Sequence, residues 1–581
     1  MSLRQAKKLL SQQRSLLDDQ RDSLIPEFSR KKFSFVDYHI SSDDSLSQPS
    51  SDNDKYSSSG SSESRRNVIV ANAKDTNPKH ITGELSSPSD PESEILDTLE
   101  IEDIPKKTAA KTAIFTLQRG DLNFKSEIDN RAGKPFNTCT RNRRGNFLSK
   151  MCWLIQEPVT AAHSKLAHSN MKMINYPDKS RTHSKAVLFK LEPSDDYLNV
   201  LSMFKRAVNS HDVNMIADLL KQSPLHIYGL LKFVDIYNLQ NDKEEAFRTL
   251  KLALQMLQLS FHKDFSPFNL DQDDHPMVMM DSGLYNNRVL IVALLMLMIY
   301  CEKQTCYKTA LALGKLLLAI DIRNDKSHIL LHIDHYFITL RDVFQFLNFS
   351  HQFNKHRHKV LTGKSIDSLP LQFMLPNFAL ALALILHSGT QFKANLEDLH
   401  QFLCLDDIKQ GIPYSFYKHS QLDQELDNIS RYGKDASNLY LLRALILFPS
   451  FIITLVDTLK TKSIGDKKLV SRLKAAGELV TFPIDILEHI HLLEMHCMCT
   501  SAKNSEIWST NAILTWLVDA CEWLSTIYQE DSLIEEYQML WALNYNEEIV
   551  QAICLGDMYS FSGISTAEFT HPHILPSELS D

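Results

Sequence analysis

The sequence predicts an all-α fold, an irregular tetratricopeptide-like α-solenoid preceded by a long disordered N-terminal region. Three observations predict it. From Ser194 onward apolar residues recur at helical spacing. Glycine is scarce, 16 in 581, and alternating β-branched runs are absent after residue 190, so strand signals are few. Residues 41–65, SSDDSLSQPSSDNDKYSSSGSSESR, hold almost no apolar side chains and cannot offset the entropy of ordering. The chain divides accordingly: 1–110, mostly disordered, with a basic start and an acidic Ser-rich tether; 111–193, an irregular basic and aromatic docking segment; 194–555, the helical solenoid; 556–581, a C-terminal tail.

Taken in order, the first 14 residues set Arg4, Lys7, Lys8 and Arg14 among Leu3, Leu9 and Leu10, a basic amphipathic helix too short to stand alone. Two islands in the tether, KKFSFVDYHI at 31–40 and SEILDTLEIEDI at 93–104, have the apolar content to bind something. Ser194 is an N-cap, with Asp195 and Asp196 in the first turn ahead of Tyr197, Leu201 and Phe204. Ser223 and Pro224 read as a cap with proline at the first helical position. Asp242, with Glu245 three residues on, opens a helix through Leu257 in the manner of a capping box. Further helices are expected at 286–302, 306–320, 327–348, 376–388, 438–447, 450–460, 481–500, 510–528 and 532–552. Short helices joined by brief polar turns pack as antiparallel pairs, and stacked pairs make a solenoid. Ala310 and Gly314 place two small residues on one helical face where a neighbour can approach closely, as in tetratricopeptide packing. The period is irregular, however, and the full tetratricopeptide signature is missing.

The run of thirteen apolar residues from Val289 to Cys301 raises the question of a membrane. A bilayer takes about 20 residues of helix. This run is closed by Arg288 before it and by Glu302 and Lys303 after it. Pro370, Pro376 and Asn377 cut a second greasy stretch, and Arg443 and Pro449 a third, so all three read as core helices. The net charge of -9 argues against a generic nucleic-acid coat. The nine cysteines lack C-x-x-C spacing and the first residues lack an apolar signal region, which suits cytosol or nucleus.

His328, His332 and His335, with Asp334 beside them, fall at i, i+4 and i+7, the spacing of a metal face. The simpler reading is a buried helix in which the histidines pack, because no fourth ligand stands in register. Cys497 and Cys499 read as buried thiols among Met and Leu, and HQFNKHRHK at 351–359 as a solvated cationic loop. A stronger candidate is TRNRRGNFLSKMCW at 140–153: Arg141, Arg143, Arg144 and Lys150 converge on Phe147 and Trp153, a mix of cation and aromatic that can serve RNA phosphates and bases. The common nucleotide and hydrolase motifs, G-x-x-x-x-G-K, G-x-G-x-x-G, G-x-S-x-G and H-E-x-x-H, do not occur. No catalytic residue, metal or cofactor is expected. Arg4, Lys7, Lys8 and Arg14 at one end of the tether and Arg141, Arg143, Arg144, Lys150 and Trp153 at the other form the candidate partner-binding set.

These stretches also resemble a known family. MSLRQAKKLL followed by KKFSFVD, then CWL at 152–154, then SDDYLNVLSMFKRAV, LLKQSPLHIYGLLKF and LQLSFHKDF, are similar to the eukaryotic ribosome-quality-control subunit family that includes the animal protein called transcription factor 25. The segment from Asn286 to His335 resembles the family's central region without a gap, including Asn287, Arg288, Cys306, Thr309, Lys315, Ile333 and Asp334. LPNFALALALIL, RALILFPSFI, Trp508 and Trp516 follow in family order. The resemblance implies a non-catalytic scaffold that acts on 60S ribosomal subunits still holding an unfinished chain. It implies as partners a listerin-type RING ubiquitin ligase and a ubiquitin-selective AAA ATPase, and a cytoplasmic, ribosome-associated location; ribosomal RNA is the contact that the cations and aromatics of 140–153 suit. The alternative is a nuclear transcriptional repressor or another helical-repeat interaction scaffold.

Overall fold

The structure is a computed structural model that describes residues 113–131, 153–155, 171–176, 186–480 and 490–552, apart from 211, 273, 324, 326, 366, 529 and 530. All of these belong to one compact unit, Glu94–Asp581. The expected disordered region 1–110 and the tail 556–581 lie outside the described residues.

The chain is mostly helical. After α1 (Phe124–Arg131) come two strands, β1 (Met171–Asn175) and β2 (Val187–Pro193), then four helices: α2 (Asp195–Asn209), α3 (Val213–Gln222), α4 (Ile227–Leu239) and α5 (Lys243–Leu259). A third strand, β3 (Val278–Met280), precedes α6 (Tyr285–Lys303) and α7 (Tyr307–Ile320). A 3-10 turn at Ile329–Leu331 leads to α8 (Ile333–Leu340), α9 (Val343–Thr362), α10 (Leu371–Met374) and α11 (Pro376–Leu386). Four short helices follow, α12 (Leu396–Leu403), α13 (Leu405–Lys409), α14 (Phe416–His419) and α15 (Leu422–Tyr432). The array ends with α16 (Ala436–Leu447), α17 (Ser450–Lys462), α18 (Lys467–Gly477), α19 (Ile490–Lys503), α20 (Ser505–Ser509), α21 (Asn511–Ile527) and α22 (Ser532–Ala552).

Neighbours in sequence pair in the first half: α2 with α3, α4 with α5, α6 with α7. In the second half the pairing skips, because α11 packs on α16 across the excursion α12–α15, and α17 packs on α19. This skipping accounts for the irregular period. Ser194 caps α2 by accepting from Tyr197 N at 3.2 Å, and Asp242 caps α5 by accepting from Glu245 N at 3.2 Å, as the sequence predicts. Gly314 on α7 lets the 3-10 turn and α8 come close: a Cβ there would stand 3.4 Å from Ile333 Cδ1 and 3.5 Å from Ile329 Cγ2. Residues Val289 to Ile299 of α6 are buried throughout. No single helix among the described residues is long and apolar enough to cross a membrane, and only the pair Leu422–Leu447 and Ser450–Lys462, bent by 95°, passes by length and composition.

A small three-stranded sheet accompanies the helices, ordered β1-β2-β3, with β1 antiparallel and β3 parallel to β2. Its strands are only three to seven residues long, too brief for alternation to stand out. Three expectations are corrected. Ser223 ends α3 instead of starting α4; the cap of α4 is His226, whose Nδ1 accepts from Gly229 N at 3.1 Å. The single helix expected at 327–348 breaks at Arg341, which is left-handed at φ 53, and restarts where Asp342 accepts from Gln345 N at 2.9 Å. Residues 351–359 form the body of α9 rather than a solvated loop, with His351, Phe353, Asn354 and Arg357 buried.

Candidate partner-binding surfaces

Of the candidate set, Arg4, Lys7, Lys8, Arg14, Arg141, Arg143, Arg144 and Lys150 lie outside the described residues. Trp153 is described, and its expected role is corrected: it is 3 % exposed. Its ring stacks on Phe261 at 5.6 Å and meets Phe268 edge-on at 5.4 Å. A ring enclosed in this way cannot stack on a base. Phe261, Phe265 and Phe268 stand in the turns after α5, about 110 residues from Trp153, so no local pattern in the sequence joins them to it.

Three buried side chains seat the segment before the solenoid upon it. Gln258 of α5 accepts from Leu154 N at 3.2 Å and Ile155 N at 3.1 Å and donates to Ile155 O at 2.8 Å, so one carboxamide serves as a strand partner for residues 153–155. Asn287 of α6 accepts from Leu191 N at 2.9 Å and donates to Asp281 O at 2.9 Å, continuing the β2 edge past the point where β3 has ended. Glu127 of α1 accepts from Thr309 N at 2.9 Å and Lys308 N at 3.2 Å, supplying the N-terminal turn of α7 with the carboxylate that its own cap, Cys306, does not provide. Arg131 donates to Thr305 Oγ1 at 2.7 Å. Thr305 is left-handed at φ 58, where glycine is usual. The strained threonine gives the guanidinium an acceptor that glycine would lack.

Two buried polar networks fix helices further along. Asp334, 0 % exposed, accepts from Asn377 Nδ2 at 2.9 Å and Asn504 Nδ2 at 2.8 Å, tying α8 to α11 and to the α19–α20 junction. Burial raises its carboxyl above the ordinary range, and the two carboxamides hold it back. Beside it Lys503 pairs with Glu302 at 2.7 Å, and Tyr336 donates to the same carboxylate at 2.8 Å. Burial pushes Glu302 up, but Lys503 and these hydrogen bonds leave it below the usual carboxylate range. In the second network Glu425 accepts from Arg443 at 3.0 Å and from Tyr440, while the guanidinium lies 4.4 Å from the centre of the Phe373 ring and 4.7 Å from that of Tyr440. The histidine face does not exist as a single face, because His328 precedes the 3-10 turn, His332 follows it and His335 sits within α8. Among the described residues no three His, Cys, Asp or Glu side chains are grouped to hold a metal.

What these networks leave for partners is the outer surface. The last turn of α17 and the first turn of α18 present Lys460, Lys467 and Lys468, all exposed. Ile453 on α17 and Leu479, just past the end of α18, lie exposed near the contact of Gly477 with Ile452 and Ile453. A cleft of about 410 Å³ opens beside β2, lined by Lys190, Glu192, Leu198 and Leu284 among others.

The family model described as transcriptional repressor TCF25 matches residues 189–573. Among curated proteins, the chain is 29 % identical over 208 residues to a human protein named ribosome quality control complex subunit TCF25, covering 36 % of this chain and 30 % of the relative. It is 28 % identical over 187 residues to the mouse protein of the same name, covering 32 % and 27 %. To the Dictyostelium discoideum protein of that name it is 24 % identical over 337 residues, covering 57 % and 39 %. The matched stretches thus span well under half of these relatives. No solved structure matches.

Proposed function

The chain belongs to the Tcf25 family, and on that premise we propose that it is a non-catalytic subunit of a ribosome quality control complex. The observation that carries this reading is the family match over residues 189–573, joined to the name shared by relatives from two mammals and Dictyostelium discoideum. The finer reading is that the protein acts on 60S subunits that still hold a stalled nascent chain. There it would work with a listerin-type RING ligase and a ubiquitin-selective AAA ATPase to promote ubiquitination and extraction. The solenoid supplies a fixed frame whose helices are locked by the Asp334 and Glu425 networks, and the long polar segment before it supplies reach. The location that goes with it is cytoplasmic and ribosome-associated. The family model's own description favours one other reading, a nuclear repressor of transcription.

Sedimentation of a tagged full chain through sucrose gradients, after induction of translational stalling, separates the two. Enrichment in 60S fractions together with a RING ligase and an AAA ATPase identified by mass spectrometry is the expected outcome. Retention on chromatin, with none of the chain in 60S fractions, would favour the repressor.

A further inference from the structure

Helix α6 ends in a Schellman turn. Thr305 N donates to Glu302 O at 2.8 Å, and Cys306 N donates to Cys301 O at 2.8 Å around the left-handed Thr305. A side-chain contact between the residues at its two ends frequently accompanies this motif, and both are cysteines here, each 0 % exposed. Standard covalent geometry places a Cα about 2.4 Å from its own carbonyl oxygen and about 1.5 Å from its own nitrogen. The hydrogen bond therefore limits the Cα separation of Cys301 and Cys306 to about 6.7 Å, inside the span of roughly 4.4–6.8 Å that protein disulfides occupy. Cys497 and Cys499 offer a contrast, since two residues apart on α19 they leave opposite sides of the helix.

We propose that Cys301 and Cys306 form an oxidisable dithiol, a modification site at which hydrogen peroxide closes a disulfide across the end of α6. The Cys306 thiolate displaces hydroxide from peroxide and becomes a sulfenic acid. Deprotonated Cys301 attacks that sulfur, the S–S bond forms, and the second hydroxide leaves. The two hydroxides take up the two thiol protons, so two thiols lose two electrons and one peroxide becomes two waters. Burial pushes both thiols up, which makes the thiolate scarce near neutral pH and the closure slow. In a reducing compartment such a bond is transient. Its position gives it a consequence: Thr305, between the two cysteines, holds Arg131, and Cys306 Sγ lies 4.0 Å from Phe124 O, so the bond would form in the seat of α1.

The sequence makes the test direct. Trypsin cuts after Arg288, Lys303 and Lys308, which puts Cys301 and Cys306 on separate peptides, 289–303 and 304–308. The full chain is treated with hydrogen peroxide at pH 8 and at pH 9, unfolded, alkylated and digested without reductant. The expected product is the linked pair, lighter than the sum of the two peptides by about 2 Da, lost on reduction and formed several-fold faster at pH 9. Recovery of both peptides singly, alkylated or over-oxidised, under conditions that have consumed the Cys404 or Cys499 thiol, would overturn the proposal. So would linkage of Cys301 to any cysteine other than Cys306.

Discussion

Histidine 226 offers the sharpest test of how this structure responds to pH. It caps α4 through Nδ1, which must accept from Gly229 N and so must be unprotonated, and its ring stacks on Tyr197 at 4.6 Å. Burial holds its pKa down at about 3, against 6.5 for an ordinary histidine. Protonation would also set a ring N–H against the Gly229 N–H. The unfolded chain takes up a proton near pH 6.5 and the folded chain does not. The stability from this site is therefore fully present above pH 6.5 and drains away as pH falls toward the folded value. At pH 5.5 the drain from this one group is about 1.4 kcal/mol, RT times the logarithm of the roughly elevenfold advantage that protonation gives the unfolded state. Substitution His226→Asn keeps a side-chain oxygen to accept from Gly229 N and removes the titration. The variant loses ring packing at every pH, so the quantity to compare is the difference between the two proteins at pH 8 and at pH 5.5. Urea unfolding followed by fluorescence of the buried tryptophans should show that difference moving by about 1.4 kcal/mol in favour of the variant at the lower pH. Buried Asp235, raised to about 7, titrates alike in both proteins and cancels from the comparison. Parallel pH dependences in the two proteins would refute the assignment of a neutral cap.

Other consequences are as direct. Gln258→Ala strands two buried donors and one acceptor at residues 154–155 and should cost about 2–4 kcal/mol, read as a lower urea midpoint; an unchanged midpoint would mean that the segment is not held there. Leu290→Asp places a carboxylate inside α6 at a 0 % exposed position and should cost several kcal/mol or prevent folding, whereas parent-like urea resistance would remove α6 from the core. On the proposed 60S reading, replacing Arg4, Lys7 and Lys8 by alanine should weaken association with 60S particles and flatten its loss with rising salt, because basic residues that bind phosphate are released by salt. Equal sedimentation of mutant and native chains across the salt range would exclude the N-terminal residues as an anchor.

Much of the helical array could be read from residue order alone because its signals are local. The caps at Ser194 and Asp242 and the charge-closed run at Val289 each depend on neighbours a few residues away. Sequence reading failed where a contact spans the chain. Nothing near Trp153 announces that it sits on Phe261, and nothing near Val278 announces that it extends a strand at Val187. The break at Arg341 was hidden for another reason: apolar residues continue at helical spacing on both sides of it, and only the left-handed backbone and the Asp342 cap divide them. The aromatic character of Trp153 suggested a binding face, but the same chemistry serves a core, and burial decides between them.

The parallel pairing of β2 with β3 also bears on how the protein is made. Asn287 reaches Leu191 across 96 residues, and Gln258 reaches Leu154 across 104. Helices α2 to α5 can form as they emerge from the tunnel, but β2, paired on one edge with β1, has no partner on its other edge until β3 and the start of α6 have been synthesised. At a synthesis rate of about 5–20 residues per second, an interval of 96 residues leaves β2 half-paired for some 5–20 s. During that time the Leu188, Phe189 and Leu191 side chains, buried in the finished protein, lack the α6 and β3 surfaces that complete their cover. The late edge leaves an open strand on the nascent chain, and it makes the order of translation part of the folding route.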